Sequence, residues 1–307
     1  MSQGIGKMFI PFAYIGVIII WSTTPLAIKW SGENGNFLFS ASGRMALGAL
    51  LTILIIVLKR IDFPWHAAAR RCYFIMSLFL YGSMMSTYWA AQFVPSGLIS
   101  VLFGISPIIT SILTVILLKE QHFSLNKWLG MLIGVIGLTL IFNTELSLNK
   151  EAIKGLLAML FAVFLQSLSS VLIKQMNVVL PALVMTAGGL LVALLFYGVT
   201  WLCVGETIPH FLSRRAILAL IYLSLFGSVI GLVLYYSLLK QIEATKVALI
   251  TLITPIVALL LGQNLNGEVI HPLMWIGTSM VLSGLALYQW GERLILSLAI
   301  RWRKLIE

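Results

Sequence analysis

The chain has 307 residues, of which 60% are hydrophobic and 10% charged, and its mean hydropathy is +1.03. Soluble domains carry roughly a quarter charged residues, so this composition excludes a soluble globular protein and points to an integral membrane protein. The net charge of +10 has no basic, aromatic-interleaved patch to go with it, so it reads as orientation in a membrane, not nucleic-acid binding.

The first apolar run, 8–28, is longer than the roughly 7–15-residue core of a secretory signal, so a retained first helix is predicted. About 20 apolar residues at 1.5 Å each cross the hydrocarbon layer. On that measure nine more spans follow, at 37–58, 72–93, 96–118, 128–143, 155–173, 180–203, 216–239, 244–261 and 271–291. The uncharged stretch 72–118 is too long for one span, and "FVPSG" at 93–97 supplies its turn. The tail "ERLILSLAIRWRKLIE" places Leu294, Leu298, Trp302 and Leu305 on one face. Residues 293–307 are therefore expected to lie on the anionic inner surface as an amphipathic cytoplasmic tail.

Putting the N-terminus inside gathers Lys59, Arg60, Arg70, Arg71, Lys127, Lys174 and the tail cations on the inner face. The outer face keeps only Lys29, Lys150, Lys154, Arg214 and Arg215. The positive-inside rule then makes both termini cytoplasmic.

Pieces of the chain recur at an offset of nearly half its length. "SPIITSILTVILLKE", ending at Glu120, parallels "TPIVALLLGQNLNGE", ending at Glu268, and Gly130 and Gly137 match Gly277 and Gly284. A five-helix unit repeated at 1–148 and 149–292 must enter the membrane from opposite sides, because five is odd. The expected fold is all-α, with ten transmembrane helices as two inverted repeats. Such repeats place a substrate site near mid-membrane, at their interface.

The ten spans, "WSTTPLAIK" in the first, Arg44 in the second and the Pro…Glu elements in the fourth and ninth resemble the EamA branch of the drug/metabolite transporter superfamily, over essentially the whole chain. The resemblance implies a bacterial inner-membrane transporter that exports small metabolites, with amino acids favoured, by alternating access. Efflux of lipophilic cations is the alternative within transport, weakened because no span carries a carboxylate to pair with a cation.

Candidate cavity residues come from helical spacing. Tyr14, Trp21 and Pro25 share a stripe, as do Tyr81, Tyr88 and Gln92, then Ser224, Ser228, Gly231 and Tyr235, and finally Gln166 with Ser170. Polar groups in hydrocarbon need partners, so these stripes face inward, onto substrate or onto neighbouring helices. Arg44 lies only ~10 Å deep by helical rise, so snorkelling outward is the default for it and a substrate carboxylate the alternative. Pro107 and Pro255 should kink their helices, as packing features or as hinges. Glu120 and Glu268 are expected to cap a neighbouring helix or pair with Lys119 or Lys127, with gating as the other option. GxxxG at Gly130 and Gly134 suits packing within the chain, with a homodimer as the alternative.

Cys72 and Cys203 fall on opposite membrane faces and are expected to stay unpaired, and no metal or cofactor site is expected. No span core holds Asp, Glu or His, and neither GxSxG nor HExxH occurs. An enzyme is therefore not expected, and neither is proton coupling. The partners implied are a small-molecule substrate and the surrounding lipid.

Overall fold

The structure is a computed structural model that describes residues 2–33, 36–119, 124–148, 151–205, 209, 211–242, 247 and 249–306; for 2–9, 146–148, 236–237, 239–240 and 292–306 it describes the backbone alone. Regular structure among the described residues is entirely helical. The helices are α1 (Ser2–Ser31), α2 (Phe37–Leu58), α3 (Ala67–Ala90), α4 (Ser96–Gly104), α5 (Ser106–Leu118), α6 (Leu125–Leu148), α7 (Ala152–Met176) and α8 (Ala182–Val204). Then come α9 (Arg214–Tyr222), a π-helical segment (Leu223–Ile230), α10 (Gly231–Gln241), α11 (Ile250–Asn266) and α12 (Pro272–Ile306).

Among the described residues seven stretches are long and apolar enough to cross a membrane: Ile10–Ser31, Phe37–Leu58, Ser96–Leu118, Leu125–Glu145, Ala152–Met176, Ala182–Val204 and Arg214–Tyr235, with Ile250–Asn266 apolar but shorter. Large apolar side chains such as Phe12, Leu50, Val57, Leu195 and Leu202 stand exposed around them. That is the expected surface of a bundle whose solvent is lipid.

Several helices stop where the backbone turns left-handed, at Lys119, Asn177, Gly205 and Gly267 (φ 54°, 50°, 64° and 64°). Pro107 does more than kink its helix. α4 ends at Gly104 and α5 begins at Ser106, with the proline in its first turn, where a missing N–H costs nothing. Pro255 instead sits inside an unbroken α11. The tail continues α12 with no break from Pro272 to Ile306.

Helices pack in crossed pairs. α3 lies on α7 while α1 lies on α9, the π segment and α10; α2 faces α8, α4 faces α11, and α6 faces α12. The last pair is the closest. A Cβ added to Gly130 would stand 2.6 Å from the Gly284 carbonyl oxygen, and one on Gly284 2.5 Å from that of Gly130. Gly137 and Gly277 repeat this, at 2.6 Å and 2.8 Å. Since Gly130 corresponds to Gly277 and Gly137 to Gly284 in the sequence repeat, each glycine meets its counterpart's partner. Two-fold related units make contacts of this reciprocal kind.

Candidate functional site

Polar contacts join α1, α4 and the end of α11. Glu268, its side chain 6% exposed, accepts from the Ser96 backbone N–H (2.8 Å), the Ser96 hydroxyl (2.9 Å) and Asn266 Nδ2 (2.9 Å), and lies 3.5 Å from Lys29 Nζ. Lys29 also donates to the Val94 carbonyl (3.0 Å), and Trp30 Nε1 donates to Asn266 Oδ1 (2.8 Å). Arg215 pairs with Glu33 at 2.9 Å and covers the Trp30 ring. The expected cap is thus made, on the first residue of α4, but the cation is Lys29, not Lys119 or Lys127. Glu120 lies outside the described residues. We call this network the latch.

Inward from the latch lie two cavities. The larger, about 440 Å³, runs from Arg44, Gln166, Gly227 and Ser228 to Met76, Ile173 and Met185 near the opposite end. The smaller, about 320 Å³, is lined by Trp21, Thr24, Pro25, Thr87, Ser100, Phe103, Ser106, Thr251 and Thr254, among others. Arg44, Met84, Gln166, Gly227 and Leu232 border both.

Arg44 does not snorkel. It is 7% exposed, and its Nε–H donates to Ser228 Oγ at 3.2 Å. Among the described residues no carboxylate pairs with it. Counting depth from the helix end missed this, because the partner comes from the other half of the chain. Ser228 sits in the π segment and in turn donates to the Leu223 carbonyl five residues back (3.2 Å). Gly227 leaves room for the guanidinium: an added Cβ would lie 3.2 Å from Arg44 Nη2. A π segment is an uncommon local geometry, found often at functional sites.

The predicted stripes divide. Trp21, Pro25, Arg44, Gln166, Ser170 and Ser228 reach the cavities. Tyr88 and Gln92 line a separate pocket of about 260 Å³ beside Lys29 and Glu33. Tyr81 faces α8, its hydroxyl 2.5 Å from Thr200 Oγ1 and its ring edge-on to Tyr197. Tyr14 and Tyr235 pack on the cluster of Ala13, Val17 and Leu238, with Tyr235 on the Trp21 ring at 4.8 Å. Tyr235 departs from its stripe because the wider i→i+5 turns between Leu223 and Ile230 advance less per residue around the axis.

Pro107 itself is not in either lining, but the residues before the two prolines, Ser106 and Thr254, both are. The repeated hydroxyl–proline pair was visible in the sequence as a signal for them. Ser167 of α7 donates to the Ser106 carbonyl at 3.3 Å, meeting one polar group at the break. Thr251, four residues before Pro255, also lines the smaller cavity.

Glu145 was also missed. Its helix runs on to Leu148, so the carboxylate lies inside α6, 4% exposed, with no hydrogen-bond partner for Oε1 among the described residues. Cys72 is buried and Cys203 exposed, both free, and no cluster of metal-ligating side chains occurs among the described residues.

Comparison with known proteins gives two matches to the EamA-like transporter family, at residues 8–143 and 153–290. The uncharacterized transporter YoaV of Bacillus subtilis is 26% identical over 88% of this chain and 93% of its own. Protein PagO of Salmonella typhimurium is 26% identical over 86% and 87%, and the uncharacterized inner membrane transporter YedA of Escherichia coli K12 is 24% identical over 92% and 91%. A solved structure described only as "Crystal structure of protein" superposes with a TM-score of 0.64 at 16% identity, covering 92% of this chain and 97% of that one. At that identity the likeness is one of fold.

Proposed function

The chain belongs to the EamA-like transporter family, and from that premise we propose that this membrane transporter carries small metabolites across a bacterial inner membrane by alternating access between two inverted five-helix repeats. Export is the expected direction, and amino acids are the substrates to test first. The ten-span reading adds α3, α11 and α12 to the seven apolar stretches, with both termini cytoplasmic. The crossed helix pairs and the reciprocal glycine contacts support a two-fold relation between the halves. On this topology the latch closes the outer side and the larger cavity extends toward the cytoplasm.

Arg44 is the observation that carries the reading. A buried guanidinium from the first repeat, held by a hydroxyl from the second, borders both cavities. An arginine at a span centre costs about 2.5–3.5 kcal/mol, and a substrate carrying negative charge or acceptor oxygens offsets that cost. A lipophilic cation would meet like charge there.

The test is counterflow in proteoliposomes, preloaded with an unlabelled amino acid and given the labelled form outside. Saturable accumulation above protein-free vesicles is expected. If a panel of amino acids and organic acids gives no saturable flux, the proposal fails.

A further inference from the structure

The charge inventory of the cavities says more about the substrate than their size does. Among the described residues that line them, Arg44 is the one ionised side chain; the other polar side chains are Gln166, the Trp21 indole and the hydroxyls of Ser and Thr. No carboxylate stands among these described lining residues to meet an ammonium group. The guanidinium spends its Nε–H on Ser228, and Gly227, with no Cβ, lets Nη2 pack closely beside the backbone at the cavity wall. Its fork geometry matches a carboxylate through two parallel N–H···O bonds.

The rest of the larger cavity suits the other end of such a molecule. Met45, Met76, Met84 and Met185 line it. Methionine side chains are flexible and polarizable, and they adapt to apolar groups of varied shape. A volume of about 440 Å³ falls in the range for small-molecule pockets.

We infer that the cavity recognises an organic monocarboxylate with an apolar body through its carboxylate, that an α-ammonium group is dispensable, and that the net anion is the species best bound. A monoanion neutralises Arg44, whereas a zwitterion leaves a positive charge in the site. Amino acids then enter as carboxylates, not for their amino group. Carriage of a net anion is electrogenic, and an inside-negative potential drives it outward. Each 100 mV supports roughly a 50-fold concentration ratio for a single charge, with no coupled ion.

This inference rests on the transport reading, but it can be read by binding, which needs no transport. Three molecules of nearly the same shape separate the charges: 2-hydroxy-4-methylpentanoate (anion), leucine (zwitterion) and leucinamide (cation). Binding to the purified full chain at pH 6.5, where the amide is almost wholly the cation, would be measured by calorimetry. The hydroxy acid is expected to bind at least as tightly as leucine, and leucinamide at least tenfold more weakly. Arg44→Gln should lower affinity for the hydroxy acid tenfold or more, with Arg44→Lys losing less.

Ser228→Ala, which keeps the cation but frees its Nε–H, checks the site if Arg44→Gln does not fold; a change in hydroxy-acid affinity of at least threefold is expected. The inference is overturned if leucinamide binds as well as the hydroxy acid, if none of the three binds, or if Arg44→Gln (or Ser228→Ala in its place) leaves binding of the hydroxy acid unchanged. Arg44-dependent binding without flux in proteoliposomes would sink the transport reading and leave carboxylate recognition standing. Saturable flux of leucinamide would do the opposite.

Discussion

Alanine at the glycines joining α6 to α12 separates packing within the chain from dimerisation. At Gly130 the new Cβ would stand 2.6 Å from the Gly284 carbonyl oxygen and 2.8 Å from the Tyr288 nitrogen; at Gly137 it would stand 2.6 Å from the Gly277 oxygen and 2.9 Å from the Val281 nitrogen. All four atoms are backbone, so no side chain can rotate away and the helices must part. Overpacking of this kind costs about 1–3 kcal/mol. Two chains related by GxxxG would need Gly130 and Gly134 alike. Yet a Cβ on Gly134 meets nothing nearer than Ile108 Cδ1 at 3.8 Å, an ordinary contact. We expect Gly130→Ala and Gly137→Ala each to lower the apparent Tm in detergent by about 3 °C, taking ~2 kcal/mol and the usual size scaling. Gly134→Ala should stay within about 1 °C of wild type, because it creates no overlap. Heating scans with light-scattering mass would settle it. Equal losses at Gly130 and Gly134, accompanied by a fall from dimer to monomer, would refute the packing argument.

Other outcomes can be stated briefly. Glu268→Gln keeps one acceptor for Ser96 but removes the charge beside Lys29, so the latch should loosen. A cysteine placed at Ser100 in a chain without Cys203 should label from outside at least threefold faster in that background. Trp21→Ala and Gln166→Ala should cut counterflow about tenfold or more with near-normal yield. Tyr197→Ala should instead lose protein, since its ring is 1% exposed and truncating a buried aromatic costs about 3–5 kcal/mol. On intact cells an impermeant maleimide should modify Cys203 and spare Cys72, which is fully buried; labelling of Cys72 alone would invert the topology.

Much of the fold could be read from the sequence because it rests on local patterns. Charge spacing marks the helices, and the offset of Gly130 and Gly137 from Gly277 and Gly284 marks the repeat. Helix ends were less legible: α6 runs past Asn143 and takes Glu145 into the fold. The site was only half visible. Hydroxyls ahead of Pro107 and Pro255 mark the smaller cavity, but the fate of Arg44 depends on Ser228, 184 positions away. No local rule carries that information. The stripe through Tyr235 failed for a different reason, since α-helical spacing does not hold across a π segment. Glu268 illustrates the middle case, with its capping role predictable from its chemistry and Lys29 knowable only from the packing.

The latch also bears on what the empty carrier does between cycles. In the proposed alternating-access cycle the charged and hydrogen-bonded contacts at Glu268, Lys29, Ser96, Asn266 and Trp30 would break on outward opening, and each kcal/mol they contribute would lower the open population about fivefold. On the proposed topology, the unloaded protein therefore waits facing the cytoplasm. On that topology solutes outside rarely find an entrance, so apparent affinity is lower from outside than from inside, while net flux still follows the substrate's own gradient. Loosening the latch would raise exchange in both directions, so a faster mutant would also be a leakier one.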